Sequence, residues 1–169
     1  VYGDGGNDDI STDYIFLRED VHAPDQPTID SVSPSSWTNG SITVAFHSND
    51  AADVNPVGPD VYGSGVDNFQ HRVDAGGDQT KYPDSFNDRS GLASASVTYS
   101  AGQLSSGSHV FHVYCWDKSG RVSSERTATL YYDGTAPGTP SVTSVNPSGW
   151  TSTNSFSLIA STCPRTTGA

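Results

Sequence analysis

Methionine is absent, and lysine occurs only at Lys81 and Lys118. Without methionine, Val1 is not read as a translation start. No charged-then-apolar leader follows it, so any signal peptide has been removed or lies elsewhere. The scarcity of base argues against a nucleic-acid partner. Eight Lys and Arg face 19 Asp and Glu, for a formal charge of −11, whereas a phosphate backbone needs clustered cations. Charged residues of both signs reach only 16%, against the usual quarter. No apolar run approaches the length of a membrane-spanning helix. Cysteine is nearly absent too. Cys115 and Cys163 have no short metal-type spacing, and one disulfide or two free thiols fit equally.

What the chain has instead is Ser and Thr, about a quarter of its 169 residues, with 17 Gly and 10 Pro. It also has an internal repeat. Ser31-Val32-Ser33-Pro34-Ser35-Ser36-Trp37-Thr38 returns as Ser144-Val145-Asn146-Pro147-Ser148-Gly149-Trp150-Thr151, an offset of 113 residues. Ala23-Pro24 and Ala136-Pro137 share the offset, as do Asp20 and Asp133. Val1-Tyr2 matches Val113-Tyr114 one residue closer. Such a period is too long for a solenoid and suits a β-sandwich module. The expectation is a window on a tandem array: residues 1–24 end one module, 25–137 form a complete one, and 138–169 begin another.

Within 25–137 the apolar period is two, the strand signature. Ile42, Val44 and Phe46 alternate with Thr43 and Ala45. Phe111, Val113 and Cys115 alternate with His112, Tyr114 and Trp116. Turn pairs bound these runs at Asn39-Gly40, Gly76-Gly77, Ser106-Gly107 and Ser119-Gly120. Strands are expected near 27–33, 41–48, 66–74, 94–100, 108–116 and 122–132, with a short one in 79–90 and a long loop over 49–65. The fold class is all-β, a two-sheet sandwich. Its expected core is Ile42, Val44, Phe46, Phe69, Val97, Phe111, Val113 and Cys115. Cys115 and Cys163 then belong to different modules, too far apart for the Cα separation of about 4.4–6.8 Å that a disulfide needs.

Asp133-Gly134-Thr135-Ala136-Pro137-Gly138-Thr139-Pro140 forms a D-x-T-A-P-x-x-P run. This run resembles the junction between modules of bacterial and archaeal Ig-like repeat proteins. Ser64-Gly65-Val66-Asp67 with Arg72-Val73-Asp74-Ala75-Gly76-Gly77 resembles one of their hairpins, and Gly107 to Val113 with Trp116-Asp117-Lys118-Ser119-Gly120 another segment. The resemblance departs at Arg121, where Asn is usual. It implies an Ig-like sandwich, an extracellular or cell-surface location, and a spacer, adhesin or accessory role.

Candidate sites are few. Gly3 to Ile10 resembles a single calcium-binding nonapeptide turn, but such turns act in series, and an acidic loop is the simpler reading. Hard cations want several oxygens. Asp50, Asp53, Asp60, Asp67, Asp117 and Asp133 all fall in loops or at strand ends, with Asp67, Asp117 and Asp133 the calcium candidates. The competing reading is of solvated acids that keep a polar surface soluble. No other cofactor is expected, and no catalytic residue. Ser64 lacks a nucleophile elbow. His109 and His112, three apart on one strand, point to opposite faces and cannot share a zinc, and His71 reads as an ordinary strand residue. Tyr114 and Trp116 face outward, where a neighbouring module or the 49–65 loop covers them or, alternatively, a sugar stacks on them. Trp37 and Trp150 read as end-closing residues, and Asn39-Gly40-Ser41 as a turn more than a glycosylation site. Ile10 to Glu19 carries apolar groups on both faces, the pattern of a strand awaiting a partner. The expected partners are neighbouring modules or other copies, joined by strand addition in a filament.

Overall fold

A computed structural model describes residues 20, 22–50, 64–87, 91–150, 152, 155 and 157–161. The expectations for Gly3–Ile10, Ile10–Glu19, most of the 49–65 loop, Asp53, Asp60 and Cys163 lie outside them. The described residues form ten strands and no helix, and none of them forms a helix able to cross a membrane.

Two four-stranded antiparallel sheets make the sandwich. The first runs β1 (Thr28–Ser33), β2 (Ile42–Asn49), β6 (Leu92–Tyr99), β5 (Ser85–Asn87). The second runs β4 (Gln79–Lys81), β3 (Val66–Val73), β7 (Gly107–Asp117), β8 (Arg126–Tyr132). With β1, β2, β6 and β5 in one layer and β3, β7 and β8 in the other, the order is that of an Ig constant-type domain with one added edge strand. The expected strands thus appear, with two adjustments. Segment 79–90 supplies two three-residue edge strands, one to each sheet. The last strand starts at Arg126, not 122, because Val122 forms only an isolated bridge with Trp116.

Alternation sets the core. Every second residue of β2 is buried from Ile42 to Ser48, and likewise in β7 from His109 to Asp117. The two inner faces meet as aromatic pairs, as facing sheets do. Phe46 lies edge-on to Phe69 at 5.0 Å and against Phe111 at 5.8 Å. The expected core is buried except for Val97, which is only partly so. The reason is local: β5 pairs only with Leu92–Ser94, so β6 is an uncovered edge by residue 97. There Asp84 Oδ2 accepts the Ser96 amide at 2.7 Å, satisfying one edge donor. Cys115 is a free, buried thiol. It donates to Ser48 Oγ at 3.2 Å, from the second sheet to the first.

A separate hairpin follows, β9 (Val142–Asn146) with β10 (Ser157–Ala160). Its pairing copies that of β1 with β2. Val32↔Val44 and Ser33↔Thr43 become Val145↔Leu158 and Asn146↔Ser157. The bulge that skips Asp30 in β1 recurs at Thr143 in β9. The first strand keeps the 113-residue offset, and the second carries one residue more, taken up after Trp150. The copied residues are not equally covered. Val44 is fully buried, whereas its counterpart Leu158 is 56% exposed and Val145 is 45% exposed.

Candidate functional site

One pole of the sandwich gathers the ends of β2 and β7, the start of β3 and the chain entering from Asp20. That entering segment is strapped across both sheets. The Asp25 amide donates to the Asn49 carbonyl at 2.8 Å, and Ser48 Oγ donates to the Asp25 carbonyl at 2.6 Å. On the other sheet, Gln26 Nε2 donates to the Glu125 carbonyl at 2.6 Å, and Arg121 Nε donates to the Asp20 carbonyl at 2.9 Å. Pro24 and Pro27 are buried beneath these contacts.

The straps bring Asp20 beside Asp50 and Asp117, with a carboxylate oxygen of each within 4.8 Å of the others. Asp50 and Asp117 are each only 3% exposed. Asp50 Oδ2 accepts the Gly65 amide at 2.6 Å and Ser64 Oγ at 3.5 Å. Asp20 Oδ2 accepts the Ser64 amide at 2.8 Å. Asp117 Oδ1 accepts Ser119 Oγ at 2.7 Å and the Arg121 amide at 2.8 Å. Its Oδ2 is buried with no hydrogen-bond partner. Burial raises the Asp50 carboxyl above its ordinary range, and the charges of Asp20 and Asp117 push the same way against the Gly65 amide. At Asp20 burial also opposes ionisation. Ser64, the His22 amide and Arg121 outweigh it and hold the group below its ordinary value. Two glycines permit this geometry. Gly65 has φ +84°, and a Cβ there would stand 2.8 Å from Phe86 Cζ. Gly91 has φ +69°, and its Cβ would meet the Asp50 carbonyl oxygen at 2.4 Å.

Of the acids singled out from the sequence that lie among the described residues, Asp50 and Asp117 alone come together. Asp67 is exposed on β3 and accepts from Asn68 Nδ2 at 2.8 Å. Asp133 stands at the opposite pole. It follows Tyr132, which pairs with Gly107, ten residues along β7 from Asp117, or roughly 33 Å. Its carboxylate accepts the Thr135 amide at 3.1 Å. Asp20 was not among the calcium candidates. The signal that could have found it was its match to Asp133 in the repeat, which marks a junction carboxylate.

The histidines serve the sandwich. His71 is buried, stacks on Phe111 at 5.9 Å and contacts the Tyr99 hydroxyl at 3.2 Å through Nδ1. His109 points inward, with Nδ1 2.7 Å from Asp74 and Nε2 2.8 Å from the Ser105 carbonyl. His112 points outward to Glu125 at 2.7 Å, so the two do occupy opposite faces. Ser64 Oγ accepts the Ser119 amide at 3.2 Å while donating to Asp50, a structural position. Tyr114 and Trp116 lie on the outer face of the second sheet. The Tyr114 hydroxyl donates to Asp78 at 3.0 Å, and Trp116 is 36% exposed. Trp37 packs on Tyr131 with ring centroids 5.3 Å apart, whereas Trp150 is fully exposed.

No family model matches the chain, and no curated protein matches it. Among solved structures the chain is similar to the PKD domain of an M14-like peptidase from Thermoplasmatales archaeon SCGC AB-540-F20. The two share 14% identity at a TM-score of 0.40, over 66% of this chain and 96% of that one.

Proposed function

We propose that the protein is a structural Ig-like repeat module of a large extracellular or surface-displayed protein, working as a stalk, adhesin or filament element. The observation that carries this reading is the hairpin β9–β10. It repeats the β1–β2 pairing through the same bulge and so has the form of the opening strands of another sandwich. Its Val142, Val145 and Leu158 stand where Ile29, Val32 and Val44 line or bury in the core, yet all three are exposed. Uncovered, such residues forgo roughly 1.5–3 kcal/mol each. Complementary strands from a neighbouring module or another copy would cover them by strand addition. Proline-bearing junctions such as Ala136-Pro137-Gly138-Thr139-Pro140 limit flexing between neighbours. Sedimentation equilibrium of the chain tests the self-pairing form of this reading. Concentration-dependent association that is lost in Leu158→Lys supports it. A monomer at all concentrations in both proteins removes copies as the partner.

The second reading is a carbohydrate-binding accessory of a secreted hydrolase, and the exposed Trp116 beside Tyr114 favours it. Polysaccharide pull-down that is abolished by Trp116→Ala would select it over the structural role.

A further inference from the structure

We propose that Asp20, Asp50 and Asp117 bind a calcium ion that pins the entering chain to the pole of the sandwich. Three carboxylates from three distant segments converge within 4.8 Å, a span that oxygens around one calcium occupy at about 2.3–2.6 Å from the metal. The environment makes their convergence costly without a cation. Two of the three are buried, and among the described residues none forms a salt bridge with Lys, Arg or His. Arg121 gives its guanidinium Nε to the Asp20 backbone, and the Lys118 ammonium sits 4.8 Å over the Phe86 ring.

The independent sign of a ligand is Asp117 Oδ2. Its partner oxygen Oδ1 is fully used by Ser119 and Arg121, which fixes the carboxylate plane. Oδ2 is buried and accepts nothing, although leaving a buried carboxylate oxygen unpaired is strongly unfavourable. A divalent cation supplies the missing partner and offsets the mutual repulsion of three carboxylates held within 4.8 Å. The donor set is three carboxylates, which suits calcium better than zinc, which favours nitrogen and sulfur, or magnesium, which is usually held through one or two carboxylates and several waters. Because Asp20 belongs to the entering chain and the other two to the sandwich, the ion would act as a fourth strap beside those of Asp25, Gln26 and Arg121.

Isothermal titration calorimetry of the chelator-stripped full chain with calcium chloride tests this, carried to about 10 mM to cover the millimolar sites of extracellular modules. The expected result is one saturable site and an unfolding temperature that rises with calcium. Asp20→Asn leaves the hydrophobic core untouched and should weaken binding at least tenfold, removing the thermal shift. Asp117→Asn should do the same, and Asp133→Asn, at the far pole, should change neither. Absence of a saturable heat with an unchanged unfolding temperature overturns the proposal. So does an equal thermal shift from magnesium or sodium chloride at matched ionic strength, which would mean charge screening. Equal weakening by Asp133→Asn overturns it as well.

Discussion

Phe111 sits where the two sheets meet, with ring contacts to both. It meets Phe46 across the sheets, stacks on His71 and lies edge-on to Tyr99 at 6.3 Å. Truncation to Ala removes a fully buried ring and leaves a cavity into which the surrounding structure relaxes only in part. Urea denaturation should show a loss of roughly 3–5 kcal/mol. The two buried histidines make a second residue-scale prediction, because they titrate in opposite directions. Burial lowers His71, and the Lys81 charge adds to the effect. At His109 burial acts the same way but is outweighed by Asp74 and the Ser105 carbonyl, so its value is raised. His71 therefore favours the fold when neutral: its contribution is full above the unfolded value of about 6.5 and is lost as pH falls from there through its lower folded value. His109 contributes below that value and loses its contribution as pH rises through its own higher folded one. Imidazole resonances followed by NMR should place the His71 midpoint below about 6.5 and the His109 midpoint above it.

At the scale of elements, the strands were legible because alternation is a local property. Ile42, Val44 and Phe46, like Phe111, Val113 and Cys115, declare their inner face by spacing alone, and the structure buries all six. Val97 has the same parity, but its burial depends on how far β5 extends along β6, which no local pattern carries. The acid cluster was half legible for a related reason. Asp50 and Asp117 sit at strand ends where turn chemistry is visible. Asp20 joins them only because the sheet order brings the entering chain back across the ends of β2 and β7. Asp133, of the same composition and in the same kind of junction, falls at the other pole because β8 runs antiparallel to β7. Sheet order also places Ser48 against Cys115, where β2 and β7 face each other across the core. Ser48→Cys should form a bridge between the sheets, closing a 67-residue separation. The gain of about 2–4 kcal/mol exceeds the roughly 1 kcal/mol of the lost hydrogen bond to Asp25. Mass spectrometry should find two hydrogens missing, and denaturation should show higher stability without reductant than with it.

For the whole molecule, the repeat is the organising fact. A sequence offset became a copied hairpin, with the same register, the same bulge and the same apolar positions, but among the described residues no second layer buries them as one does in the sandwich. Sequence alone exposed the period. The extra residue after Trp150, which restores the inner face of β10, became visible only through the pairing. If β9–β10 opens another sandwich, supplying the rest of one should cover it. The direct test appends residues 47–137 of this chain after Ala160, the residue that pairs as Phe46 does, and follows amide hydrogen exchange across 142–160. The account predicts that these amides become as protected as those of β1 and β2, and that a second cooperative unfolding transition appears. Rapid exchange over 142–160, with the appended residues unfolded or folding without the hairpin, would contradict it.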